Sequence, residues 1–325
     1  MSRPMSYSNA FREGVREEML RDDRIFILGT DLYERGGHFA QVKGLGPEFG
    51  HERVRDAPIS EAAMVAAGVG AAVSGSRPLI DLNFDDFAYG AMDEIFNQAA
   101  KLRYMWDRNV PLVIRATSGV ALGGAQHNNS MEMLFASMPG LAVVSPSTAR
   151  DAKGLIKTAL RSPDPVVFLM HKKLTGVRGA VGGDGEFTPI GVADLVRTGG
   201  DVTVVSHSHG MITATEAADA LSAAGVQVDL IDLRSIFPLD IDTITASVRR
   251  TGRLVVVDES PHFGSVAAQI VTEVQSRAFW YLDAPIVTVT AAHAPIPHSP
   301  PLIDALLPSV DGVVRATRRL LEETA

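Results

Sequence analysis

The sequence predicts an α/β protein of two domains, each a mostly parallel sheet flanked by helices. Short apolar runs alternate with segments of helical period, the pattern of parallel strands joined by crossover helices. That alternation occurs twice, on either side of a glycine-rich stretch without periodicity, Lys172 to Pro189. The chain has 325 residues, 46% of them hydrophobic, enough for two cores. The two domains are expected at residues 1–185 and 186–325.

In chain order, Tyr7 to Arg21 reads as an amphipathic helix and Ile25 to Leu28 as a short buried strand ending at Gly29. A glycine-containing loop, Tyr33 to Phe39, follows. Pro58 closes an extended run, Ser60 is placed to cap a helix, and Glu61 opens a segment so rich in Ala, Gly and Val that it is expected to be buried all round. Pro78 to Leu82 reads as a strand, Tyr89 to Arg103 as a helix and Pro111 to Ile114 as a strand. A polar, glycine-rich loop spans Ala116 to Asn129. Ala142 to Val144, Thr148 to Leu160 and Val166 to Leu169 read as strand, helix and strand. Beyond the linker, strands are expected at Asp201–Val205, Val228–Ile231, Leu254–Asp258 and Ile286–Val289. Helices are expected at Met211–Ala223, Asp240–Arg250 and Val266–Ala278.

The formal net charge of −8 comes without any basic stripe, so nucleic acid is not an expected partner. No apolar run approaches the roughly 18–20 residues of a membrane span. Met1-Ser2-Arg3-Pro4 leads into a polar helix rather than an apolar signal core, so a cytoplasmic location is expected. The absence of cysteine excludes disulfides, thiolate metal sites and cysteine nucleophiles. His207 and His209, two apart at a strand end, read as surface or interface residues.

Glu61 is the carboxylate of interest, because a charge at the mouth of an apolar helix is costly unless something binds it. A dipole partner at the first helical turn is the plain alternative. The surrounding residues decide between them by resemblance. Arg53-Val54-x-Asp56-x-Pro58-Ile59-x-Glu61 resembles the signature of the beta subunit of the thiamine-diphosphate-dependent decarboxylating component of 2-oxo acid and acetoin dehydrogenase complexes. The likeness continues in register through Arg77-Pro78, Asn97-Gln98-Ala99-Ala100-Lys101, Pro146-Ser147-Thr148, Ile231-Asp232-Leu233-Arg234 and Pro295-x-Pro297.

The resemblance implies a pyrimidine-binding domain followed by a transketolase C-terminal-like domain. It implies that Glu61 shares a proton with the aminopyrimidine of thiamine diphosphate, and that Leu82, Asn83 and Phe87 line that pocket. It also implies that His127, at the end of the glycine-rich loop, acts in transfer to a lipoyl group, a fitting role for a side chain that titrates near neutrality. Backbone carbonyls of Leu112, Ala159, Leu160, Ser162 and Asp164 correspond to a potassium site, with an ordinary helix C-terminus as the other reading.

Two departures stand out. The family usually shows Gly-Glu-Asp where this chain has Gly29-Thr30-Asp31, and Ser-Gln where it has Asn128-Asn129. Gly183-Asp184-Gly185 opens like the thiamine diphosphate and magnesium motif, but that motif needs a later Asn, and none occurs after Asn129. The diphosphate half of the site is therefore expected from an alpha subunit that holds magnesium, in an α2β2 heterotetramer that docks a lipoyl acyltransferase core. The substrate would be a 2-oxo acid, pyruvate or branched-chain, or acetoin. A split transketolase-like enzyme or carboligase without a lipoyl partner, and a non-catalytic scaffold, are the alternatives.

Overall fold

In a computed structural model, which describes residues 2–121 and 123–322, the chain forms two compact units. The first comprises residues up to Ser118 together with Leu134–Ile190; the second comprises Gly119–Met133 and everything from Gly191 onward. The loop at 119–133 thus belongs by its packing to the second unit, although it interrupts the first in sequence.

The first unit begins with β1 (Arg3–Ser6) and α1 (Tyr7–Arg21), whose first turn is capped by the Ser6 hydroxyl accepting from the Asn9 N–H. β2 (Ile25–Gly29), α2 (Leu45–Phe49), β3 (Val54–Asp56), α3 (Glu61–Val73) and β4 (Arg77–Phe84) follow. After α4 (Leu102–Trp106) and β5 (Val113–Ser118), the unit resumes with α5 (Glu132–Ala136), whose first two residues lie in the second unit. β6 (Ala142–Val144), α6 (Ala149–Arg161), β7 (Val166–His171) and β8 (Arg178–Val181) complete it. Its parallel strands run in the order β6-β7-β5-β4-β2-β3.

Two expectations are corrected here. The stretch Lys172–Pro189 is not a bare linker. Its β8 pairs antiparallel with β1, and the carbonyls of Gly182 and Gly183 accept from the buried Lys153 ammonium. Lys153 and Lys157 on α6 also pair with Glu13 and Glu17 on α1 at 2.6–2.7 Å, a network that apolar periodicity could not reveal. The expected helix Tyr89–Arg103 is broken into three pieces. A tight turn of 3-10 type spans Asp85–Ala91, a π-helical stretch spans Asp93–Ala99, and α4 closes the run. The Ala100 N–H donates to the Ile95 carbonyl five residues back, the widened pitch that recurs at functional sites.

In the second unit, β9 (Asp194–Arg197), β10 (Val202–Ser206), α7 (Gly210–Ala223), β11 (Val228–Asp232), β12 (Ser235–Phe237), α8 (Ile241–Thr251), β13 (Leu254–Pro261), α9 (Val266–Ala278) and β14 (Val287–Ala291) precede α10 (Pro300–Leu306) and α11 (Val310–Glu322). A five-stranded sheet runs β14-β13-β10-β11-β9, with β9 the antiparallel edge. The sequence reading missed β9 and both terminal helices. β9 is short and mostly exposed, so it lacks the apolar run that marks a buried strand.

Candidate active site

In the first unit the chain runs from β2 outward to β3 on one side and to β4 on the other. The carboxyl ends of β2 and β4 therefore flank a switch point, where open α/β sheets bind ligands. Asn83 sits there at φ +65°, where the register of β4 against β5 shifts. Its N–H donates to Asp81 at 2.9 Å, and its Oδ1 is buried with no hydrogen-bond partner among the described residues. The hydroxyls of Thr117 and Ser118, at the end of the neighbouring β5, are likewise buried and unsatisfied. A buried polar group left without a partner costs about 1–3 kcal/mol, so such a cluster points to a missing ligand. Leu82 is buried within β4, whereas Phe87 is 36% exposed and sets its ring edge-on to Phe84, 5.7 Å between centroids. His38, in the glycine-containing loop after β2, also meets Phe84 edge-on at 5.2 Å.

Glu61 is half-buried at the first turn of α3, and a side chain at Gly90 would come within 3.7 Å of its Oε2. Ser60 occupies the capping position but makes no side-chain cap bond, contrary to expectation. Nor is α3 buried all round. Met64, Val65, Gly68, Val69 and Ala72 face inward, while Ala63, Ala66, Ala67 and Gly70 are exposed. Gly68 is required where helix meets sheet, because a Cβ there would lie 2.7 Å from the Ile80 side chain. An alanine-rich helix gives no hydropathy contrast between its faces, which is why the sequence hid the open one. Ile59, just before it, is 78% exposed, and Tyr104 and Trp106 on α4 are 94% and 68% exposed.

The sequence reading also missed the support beneath β4. Asp81 and Arg115 face each other in register across β4 and β5, both buried, at 3.1 Å. Gln41 donates to the same carboxylate at 2.6 Å. One charge in each of two otherwise apolar strand runs was the available signal.

In the second unit, His127 ends a single turn, Ala125–His127, entered through Gly124 at φ +74°. Asn128 is buried and closes the loop. It donates to the Gly124 carbonyl and accepts from the Ala121 N–H, both at 2.7 Å. A serine at 128 is too short to span both contacts. His207, read as a surface or interface residue, is buried within the second unit, 4.0 Å from Glu132, and His209 bonds Glu259 at 2.8 Å. Asp31 cannot replace the glutamate expected at Thr30, since its exposed carboxylate turns to Arg35 at 3.4 Å.

The carbonyls expected to hold potassium are engaged. Those of Leu160 and Ser162 accept from the Arg77 guanidinium at 2.8 and 2.7 Å. Those of Leu112 and Ala159 accept from the N–H groups of Val166 and Ser162, and that of Asp164 accepts from the Ser162 hydroxyl. A fixed guanidinium at two of five donors does not fit a further cation.

Residues 3–177 match the family model of the transketolase pyrimidine-binding domain, and residues 191–313 that of the transketolase C-terminal domain. The chain is 38% identical over 323 residues to the 2-oxoisovalerate dehydrogenase subunit beta of Bacillus subtilis, covering 98% of this chain and 99% of that one. It is 41% identical over 335 residues to the acetoin:2,6-dichlorophenolindophenol oxidoreductase subunit beta of Cupriavidus necator, covering 99% of each. The chain belongs to the beta-subunit family of 2-oxo acid and acetoin dehydrogenases. Among solved structures, a split-gene transketolase in an inactive beta4 tetramer matches with a TM-score of 0.82 and 22% identity, covering 99% of each chain, a likeness of fold. Branched-chain and acetoin members of the family stand at nearly equal identity, so overall similarity does not select the substrate.

Proposed function

We propose that this chain is the beta half of a thiamine-diphosphate enzyme. It cleaves the carbon–carbon bond beside the carbonyl of a 2-oxo acid, pyruvate or branched-chain, or of acetoin, and passes the acyl group to a lipoyl carrier. The observation that supports this is the half-site: unsatisfied polar atoms and a half-buried carboxylate beside a helix whose outer face is bare alanine and glycine.

The residues of the first unit fit one end of the cofactor. Bound thiamine diphosphate supplies a carbon nucleophile and an electron sink beside the substrate carbonyl. Glu61 holds a proton at a ring nitrogen of the aminopyrimidine, and Asn83 offers its free Oδ1 to a ring amino group. Phe87 would pack on the ring and Leu82 would line the same pocket. His127 moves a proton during transfer to the lipoyl group.

The alpha subunit grips the diphosphate and its magnesium, covers the open face of α3, and completes an α2β2 assembly on a lipoyl acyltransferase core. A cytoplasmic location belongs to the same reading. No step is assigned to potassium, since Arg77 occupies two of its five carbonyls.

Calorimetric titration with thiamine diphosphate and magnesium tests the division of labour. Tight binding requires both chains, and tight binding by this chain alone overturns the reading. In the reconstituted enzyme Glu61→Ala lowers turnover by about 10²–10⁴-fold with assembly unchanged; near-normal turnover defeats the assignment.

Thr30 and Asn128-Asn129 favour one rival, a split transketolase-like enzyme or carboligase with no lipoyl acceptor. Turnover with an aldehyde acceptor but none with lipoamide selects it. A scaffold without catalysis predicts no cofactor affinity even beside the alpha chain.

A further inference from the structure

The loop that carries His127 is fastened within the second unit at both of its ends. At the first end, Val120 packs with Ile296 and Ile303. At the other, Glu132 is buried with its Oε1 4.0 Å from Nε2 of His207, the residue that follows β10. The second oxygen of Glu132 is buried without a hydrogen-bond partner among the described residues.

β10 and β13 are adjacent parallel strands, and the chain crosses from β11 over β10 to reach β13. Their carboxyl ends therefore flank this sheet's own switch point, the usual place for a ligand. Here the chain places its own Glu132 there. Two more carboxylates face the group from β13. Asp258 is held by the N–H groups of Ser260 and Ala267, and Glu259 by His209. Burial pushes the Glu132 carboxyl up and Asp258 and Glu259 add to that, while His207 and the backbone N–H of Glu132 oppose it.

We propose that Glu132 and His207 form a latch that positions His127, acting through the short segment 128–131. The latched form holds Glu132 as the neutral acid beside His207. Loss of its proton leaves a buried carboxylate facing Asp258 and Glu259. That change loosens the latch. Glu132 and His207 are positioning residues, and their effect on catalysis rests on the role given to His127 above.

Hydrogen exchange of the full chain, with and without its alpha partner, tests the latch independently of turnover. In His207→Gln, amides of residues 123–131 exchange at least tenfold faster than in the unmutated chain, while α3 and the first-unit strands are unchanged. Turnover of the reconstituted enzyme falls about tenfold or more, with thiamine diphosphate affinity within twofold. Glu132→Gln, which keeps the shape but cannot ionise, retains loop protection. It abolishes the pH dependence of loop exchange, corrected for intrinsic rates, that the unmutated chain shows. Unchanged loop exchange in His207→Gln overturns the latch whatever the activity. If that variant loosens the whole second unit, Glu132→Gln decides, and a pH dependence equal to that of the unmutated chain overturns the latch. A loop that loosens as expected in an enzyme with no thiamine-dependent turnover supports the latch and defeats the functional reading instead.

Discussion

The surroundings of Glu61 and of Glu132 are opposite solutions to the same problem, a carboxylate at the start of a helix. Glu61 is half-buried at the first turn of a helix with an exposed face of Ala63, Ala66, Ala67 and Gly70, and the polar side chains of Asn83, Thr117 and Ser118 at strand ends of the same unit stay unsatisfied among the described residues. Glu132 is buried, faces an imidazole of the same unit, and sits on a loop closed by its own Asn128. The first arrangement is incomplete as a single chain. The second holds itself.

The most severe way to break the comparison is to fill the open face. Ala67→Glu places a charge on an exposed position, so the chain alone keeps its fold and its melting temperature within a few degrees. Assembly with the alpha chain, read by light scattering, is lost, and activity with it. Normal assembly would show that this face is not the covered one. Next in size is the support beneath β4. Arg115→Leu leaves Asp81 buried without its counter-charge and destabilises the chain by about 3–5 kcal/mol in denaturant titration. The paired change Asp81→Leu with Arg115→Leu recovers most of that loss, because both charges are then gone.

The sequence showed most strands and helices because their apolar period is a direct record of burial. It also offered Glu61, Asn83, Phe87 and His127 as candidates by resemblance, because motif spacing survives where contacts do not. Three things were hidden for physical reasons. The open face of α3 is alanine and glycine rather than polar, so it carries little contrast with the buried methionine and valines. The strap at β8 is held by buried lysines and backbone carbonyls rather than by apolar residues. The Glu132–His207 contact joins groups 75 positions apart, and nothing local marks either one.

A smaller effect sharpens the closed side. Asn128→Ser introduces the residue that the family resemblance leads one to expect but removes two hydrogen bonds. It costs about 1–3 kcal/mol of loop stability and speeds exchange across 123–129, with little change in overall unfolding. Exchange equal to the unmutated chain would show that the staple is dispensable.

The smallest effect is a contrast in acid response between the units. In the first, Asp22 accepts bidentate hydrogen bonds from Arg24 at 2.7 and 2.9 Å, and these lower its carboxyl to about 2. A carboxyl depressed on folding stabilises above its unfolded value near 4, and that stability is lost as the pH falls toward about 2. The partner arginines are well exposed, so screening reduces the contribution to about 1 kcal/mol. In the second unit, Glu132 is raised on folding, chiefly by burial. A raised carboxyl contributes stability that is fully present below its unfolded value and is lost as the pH rises through the folded one. Acidification from neutrality toward pH 4 therefore relieves the second unit at Glu132 before it weakens the first at Asp22. Asp22→Asn flattens the acid limb between about pH 4 and 2 in melts reported by first-unit exchange. Glu132→Gln flattens the limb on the neutral side in second-unit exchange. A single limb shared by both variants would mean that the two carboxylates do not report on separate units.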